Sequence, residues 1–289
     1  MVVGYPFNDV NGISSGQARV YMWDGSSWMQ LGSSINGQAT YDYAGASVSL
    51  SSDGEVVAVG SPYNDANGTE SGNVRIYKFN GNDWIQIGGD INGLAAYDYS
   101  GRSVSLSSDG NVVAIGAPSN DANGNDAGHV RVYSFNGSNW FMETTIDGVA
   151  PIDKSGSSVS LSSNGNVVAI GSPYNDDNGV DAGHVRVYNI SGTSLNQLGS
   201  AILGDASGDE SGISVSLSSD GNTVAIGARY HQANNLVGAG QVKVYNWDGS
   251  SWNQVGSDID GVEANEWSGW SVSLSADGNA VAIGAPYNN

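Results

Sequence analysis

Cysteine is absent from all 289 residues, which excludes disulfides and thiolate metal centres without fixing the compartment. Cations are scarce: 9 Lys and Arg stand against 29 Asp and Glu, for a formal net charge of −20. Such a surface repels phosphate backbones and anionic bilayers, so neither nucleic acid nor membrane insertion is expected, and cations are the more natural partners. No apolar run approaches the roughly 20 residues of a membrane-spanning helix, and no segment has helical periodicity. Met1 falls directly into a repeat, so no secretory leader is expected.

What the chain does have is repetition. Ser-Val-Ser-Leu recurs with its valine at Val48, Val104, Val159, Val215 and Val272, at spacings of 56, 55, 56 and 57 residues. A second anchor is the glycine of a Gly-x-Pro-like turn, at Gly4, Gly60, Gly116, Gly171, Gly227 and Gly284. Within one period, Ser103–Ser108 alternates small polar with apolar residues and predicts a strand. Asp109-Gly110 predicts a two-residue hairpin turn, and Val112–Gly116, nearly all apolar, a second strand buried on both faces. A longer loop, 117–128, leads to a third strand at Val130–Phe135. Asn136-Gly137 then turns the chain into a fourth strand that starts at Trp140.

Four antiparallel strands per period describe a propeller blade. Residues 1–289 are expected to form one all-β domain, a five-bladed β-propeller of four-stranded antiparallel blades. Closure is expected in a blade shared by the two ends: 17–35 as its third and fourth strands, 271–286 as its first and second. That would remove the open sheet edges. An open solenoid is the alternative, though nothing resembles a capping repeat. A monomer is expected.

The stretch Ser100-Gly101-Arg102-Ser103-Val104, followed by Val113-Ala114-Ile115-Gly116-Ala117-Pro118, resembles an FG-GAP repeat, the blade unit of integrin α-subunit propellers. Gly-Ala-Pro recurs at Gly284–Pro286, and Gly-Ser-Pro stands at Gly60–Pro62 and Gly171–Pro173. The resemblance runs the length of the chain. It implies a binding or adhesion module at the cell surface or outside the cell, with a protein or glycan ligand. Two departures matter: integrin propellers have seven blades, and their calcium loop lies between the first and second strands, where this chain has a short turn. That site is therefore not carried over.

Candidate chemistry lies elsewhere, between the second and third strands. Four loops read Asn8-Asp9-Val10-Asn11-Gly12, Asn64-Asp65-Ala66-Asn67-Gly68, Asn120-Asp121-Ala122-Asn123-Gly124 and Asn175-Asp176-Asp177-Asn178-Gly179. Alternating oxygen side chains closed by glycine are how calcium loops are built. Asp42, Asp98, Asp153, Asp209 and Glu266 precede each Ser/Ala-Gly and are expected on the same face, where they would supply further oxygens for Ca2+. The same loops also read as ordinary turns in which Asx side chains bond their own backbone.

The fifth loop breaks the pattern with Arg229, His231 and Gln232, so Arg229 and His231 are candidate ligand contacts. Trp267 and Trp270, off the aromatic periodicity, are candidate sugar-stacking residues. By contrast Arg19, Arg75, Arg131, Arg186 and Lys243 are periodic and read as structural links between blades. So do Trp28, Trp84, Trp140 and Trp252, and the buried-register His129 and His184. A lectin is one functional alternative. A hydrolase, glycosidase or phosphodiester-type, is the other, but near-identical repeated acids argue against a differentiated acid–base pair.

Overall fold

The computed structural model describes residues 1–192 and 194–288 and is entirely β among them. Six antiparallel sheets follow one another along the chain. The first contains Val2–Tyr5, Gln17–Trp23, Trp28–Gln30 and Ile35–Asn36. Four complete blades follow. The third sheet is typical, with Ser103–Leu106, Val112–Ala117, His129–Phe135 and Trp140–Asp147 paired in that order. The sixth holds only Ser271–Leu274 and Val281–Gly284.

The repeat explains this packing residue by residue. In Ser-Val-Ser-Leu the apolar pair joins the core while the serines staple neighbouring blades. Ser47, Ser103, Ser158 and Ser214 donate through Oγ to the carbonyls of Gly101, Gly156, Gly212 and Gly269, at 2.7–2.8 Å. Ser49, Ser105, Ser160 and Ser216 accept from the amides of Leu106, Leu161, Leu217 and Leu274, each at 2.9 Å. Blades approach so closely that a Cβ on Gly60 would lie 2.2 Å from the Gly101 carbonyl oxygen. Successive first strands therefore touch in order from Ser47–Leu50 to Ser271–Leu274.

In the four complete blades the second strands, such as Val56–Ser61, are buried over all or nearly all of their length, as their apolar runs predict. Farther out, indole Nε1 atoms tie each blade to the one before: Trp84 to Leu31 O at 2.8 Å, Trp140 to Ile87 O at 3.1 Å, Trp252 to Leu198 O at 2.8 Å. Between these layers, apolar clusters such as Val56, Val74, Ile76, Val113 and Ile115 fill the blade interfaces.

Two expectations are corrected. Residues 17–35 do not share a blade with 271–286. Val2–Tyr5 is itself a second strand and occupies the edge of Gln17–Trp23, pairing Val2 with Val20 and Tyr5 with Gln17. Ser271–Leu274 and Val281–Gly284 pair with each other. The array thus comprises four complete blades between two partial sheets, rather than five closed by a shared one. The Asp-Gly turn is also longer than two residues. Strands end at Leu50 and resume at Val56; Gly54 takes φ 78°, and Asp53 accepts from Ser51 Oγ and Glu55 N.

Candidate functional site

The loops between second and third strands all lie on one face. Their asparagines and aspartates are consumed locally. Asn8, Asn64, Asn120 and Asn175 each accept through Oδ1 from the amide two residues on, at 3.0 Å. Asp9, Asp65, Asp121 and Asp176 accept from the amides of Ser14, Glu70, Asp126 and Asp181, at 2.7–2.9 Å. Those four donors sit at φ 49–54°, so each carboxylate pins a left-handed turn. Asn11, Asn67, Asn123 and Asn178 donate through Nδ2 to Gly37, Gly93, Gly148 and Gly204 carbonyls, at 2.7–2.8 Å.

The second acidic register is brought onto these loops, but not onto their aspartates. Asn64, Asn120 and Asn175 donate to Asp42, Asp98 and Asp153 at 3.1–3.2 Å. His231 Nδ1 pairs with Asp209 at 2.9 Å, and Asn288 donates to Glu266 at 2.5 Å. Each buried carboxylate therefore faces a nitrogen donor. Calcium needs 6–8 oxygens, and no group of three or more acidic or histidine side chains converges among the described residues. As arranged, the set does not fit the ion.

Elsewhere on the same face the repeat departs from itself. Where Pro62, Pro118 and Pro173 follow the second strand, the fifth sheet has Arg229. Where Tyr63 and Tyr174 come next, the third blade has Ser119. The residue before Ser/Ala-Gly is Tyr43 and Tyr99 in two blades, then Lys154, Glu210 and Trp267. The residue before Ser-Val-Ser-Leu runs Ala46, Arg102, Ser157, Ile213, Trp270.

These registers meet at one cavity of about 350 Å³, lined by Tyr63, Tyr99, Tyr174 and Trp270 together with Arg102, Lys154 and Arg229. Pro118, Ser119, Ser157 and Ile213 complete its wall. Three of nine basic side chains thus converge in a chain of net charge −20.

Local structure holds each in place. Tyr43, Tyr99, Lys154, Glu210 and Trp267 all adopt φ 52–57°, a left-handed backbone unusual for bulky residues. Lys154 Nζ reaches Asp126 Oδ1 at 2.9 Å and Ser119 Oγ at 3.0 Å. Burial works against the Asp126 carboxylate, but its bonds to Lys154 and Ser119 hold its pKa below the ordinary value. Arg229 Nη2 lies 2.5 Å from Glu210 Oε2, and its guanidinium stands 4.7 Å from both the Tyr230 and Trp270 ring centroids. Burial pushes the Glu210 carboxyl up, and Arg229 pulls it back. Arg102 is exposed and has no ion pair among the described residues.

Aromatic rings continue around the rim. Phe7, Tyr43, Tyr63 and Tyr99 contact in series with centroids 4.8–5.6 Å apart. Trp267 stacks on Trp270 at 5.6 Å and 13°, and meets Tyr230 and Tyr287 edge-on at 5.2 and 4.3 Å. The Tyr99 phenol is pushed up to about 12, by burial first and then by its hydrogen bond to Glu70.

Of the four candidate contacts, Arg229 and Trp270 line the cavity, and Trp267 backs Trp270. His231 does not line it: it performs the asparagine's structural task. Sequence reading missed Arg102, Lys154, Glu210 and the three tyrosines. For Arg102, Lys154 and Glu210 the available signal was a register that changes from blade to blade; Tyr63 and Tyr174 are the common residue of theirs and gave none.

Residues 92–133 match the FG-GAP repeat family. That stretch includes Arg102 and the loop with Asp121, and the other blades repeat its anchors in register. No curated protein matches the chain in sequence.

Among solved structures, the fold is similar to a functionally unknown protein from Desulfotomaculum acetoxidans, at 16% identity and TM-score 0.62, covering 98% of this chain and 71% of that one. It is similar also to a periplasmic gluconolactonase of Pseudomonas aeruginosa, at 18% identity and TM-score 0.62, with coverage of 98% and 74%. A third is hydrazine synthase of Kuenenia stuttgartiensis, at 12% identity and TM-score 0.59, with coverage of 98% and 72%. At these identities the likeness is one of fold.

Proposed function

We propose that this FG-GAP propeller chain is a non-catalytic, sugar-recognising binding module whose ligand occupies the loop-face cavity. One observation carries the reading: the residues that break the repeat converge on a single cavity with an aromatic rim. Small-ligand cavities of roughly 300–1,000 Å³ combine apolar surface with a few polar groups that set orientation. Aromatic rings offer apolar faces to sugar C–H groups, while tyrosine, serine and arginine supply hydrogen bonds. The adhesion role and extracellular placement implied by the integrin-like resemblance are consistent with such a module.

Enzymatic hydrolysis is less well supported. A two-carboxylate mechanism needs acids beside the scissile bond, and neither carboxylate nor histidine lines the cavity. Asp126 and Glu210, nearest in role, are bound to Lys154 and Arg229.

A glycan array probed with wild type and with Tyr63→Ala/Tyr174→Ala tests the reading. Binding that is lost in the double variant, with no product released on prolonged incubation, is expected. Absence of glycan binding by wild type, or turnover of a bound glycan, overturns it.

A further inference from the structure

The cations around the cavity are not all paired. Lys154 is matched by Asp126 and Arg229 by Glu210, each through a direct contact, while Glu70 accepts from the cavity-lining Tyr99. Arg102 has no ion pair among the described residues, and it is exposed where it lines the cavity. Solvent and salt screen an exposed arginine, so its contribution rests on direct hydrogen bonding to a ligand rather than on long-range attraction.

The other two cations are oriented rather than free. Arg229 is held between Tyr230 and Trp270 and anchored by Glu210. Lys154 is held by Ser119 and Asp126. Their remaining donors reinforce the positive wall without moving, which is how pre-organised sites limit the entropy lost on binding. Arg102 supplies what they lack, an uncommitted guanidinium fork that matches a planar carboxylate with two parallel N–H···O bonds.

We propose that the ligand is an acidic sugar, a uronic acid residue, whose carboxylate is bound by Arg102. This rests on the sugar-binding reading of the same cavity. One guanidinium without an ion-pair partner suits a monoanion better than a phosphate dianion, and the planar fork favours carboxylate over tetrahedral sulfate. The sugar ring lies against the tyrosine-lined wall, and Lys154 and Arg229 set the potential that draws the anion in.

Calorimetric titration with matched oligosaccharides tests this. The probes are galacturonate and glucuronate oligomers, their neutral galactose and glucose counterparts, and the corresponding 6-sulfated and 6-phosphorylated sugars. Wild type is expected to prefer a uronate over its neutral counterpart by at least about tenfold, with affinity falling as salt rises. Arg102→Ala is expected to weaken uronate binding about 10- to 100-fold and to weaken neutral-sugar binding by a smaller factor, so that the preference for the uronate is lost. Arg102→Lys should restore only part of it, because a point charge replaces the fork. Arg102 is exposed, and unchanged melting of both variants would show that neither acts through unfolding.

Equal affinity for neutral and acidic sugars, uronate binding insensitive to Arg102→Ala, or preference for sulfate or phosphate overturns the assignment while leaving sugar binding intact. Failure of every sugar to bind wild type removes the sugar reading itself, and the uronate assignment with it.

Discussion

His231 Nδ1 lies 2.9 Å from Asp209 Oδ2, in the place where Asn64, Asn120 and Asn175 donate to Asp42, Asp98 and Asp153. The imidazole substitutes for a carboxamide as partner to a carboxylate that is only 3% exposed. His231→Asn should therefore leave stability within about 0.5 kcal/mol, whereas His231→Ala should cost about 1–3 kcal/mol by orphaning Asp209. Urea denaturation of the two variants decides it; equal stability would show that the pair is dispensable.

His129 and His184 are fully buried, and burial depresses both to about 4, with Arg131 and Arg186 adding to the effect. Asp177, beside His184, pulls the other way. In the unfolded chain each histidine titrates near 6.5. As pH falls from about 6.5 toward 4, the unfolded state takes up protons that the folded state refuses. Stability is therefore full above that window and declines within it, by up to about 1.4 kcal/mol per pH unit for each histidine. Glutamine occupies the same register at Gln17 and Gln241, so His129→Gln/His184→Gln should flatten the decline. A wild-type profile already flat across this range would count against buried neutral imidazoles.

Arg131 is 2% exposed and donates to Tyr133 Oη at 2.7 Å, Asn92 O at 2.9 Å and Ser100 Oγ at 3.0 Å. Two of those partners belong to the preceding repeat. Arg131→Ala should lower stability by about 2–4 kcal/mol and leave ligand affinity untouched, because the side chain does not line the cavity. Lost binding at unchanged melting temperature would reverse the assignment.

Trp84 is 8% exposed with its indole bonded to Leu31 O, while Trp28, at the same register of the first sheet, is 53% exposed. Trp84→Ala should cost about 3–5 kcal/mol and Trp28→Ala less than about 1 kcal/mol. Thermal melts of the pair would show whether the first sheet's outer face is free in solution. A large loss at Trp28 would mean that another surface covers it.

Hydrogen bonding of the acidic loops to their own amides predicts that strong chelators leave the melting curve unchanged. A drop of several degrees that calcium reverses would return Asp9, Asp65, Asp121 and Asp176 to metal binding.

Blade architecture was legible because its signals are local. Ser-Val-Ser-Leu and the apolar second strand encode contacts that recur along the array, and the outer tryptophans one that recurs in three of its blades. Val2–Tyr5 was harder to read. Its four residues show no alternation, and only the pairing with Gln17–Val20 marks them as a strand. The cavity was legible only in part, since Arg229 and Trp270 stand out as breaks in a motif. Arg102 and Lys154 lie in registers that change from blade to blade, so neither marks a site until the fold brings it beside neighbours from other blades. Convergence across blades arises from the side-by-side packing of successive sheets, and no single window of sequence contains it.

The left-handed station shared by Tyr43, Tyr99, Lys154, Glu210 and Trp267 has a further consequence. Its backbone is bent the same way whether it carries a phenol, an ammonium, a carboxylate or an indole. Side-chain chemistry there is thus uncoupled from folding, so each blade offers an interchangeable socket at the rim. Lys154→Tyr, for instance, would extend the aromatic row by one ring and remove a cation without altering the trace of the chain. A binding preference built this way is written in single side chains, and can be rewritten one blade at a time.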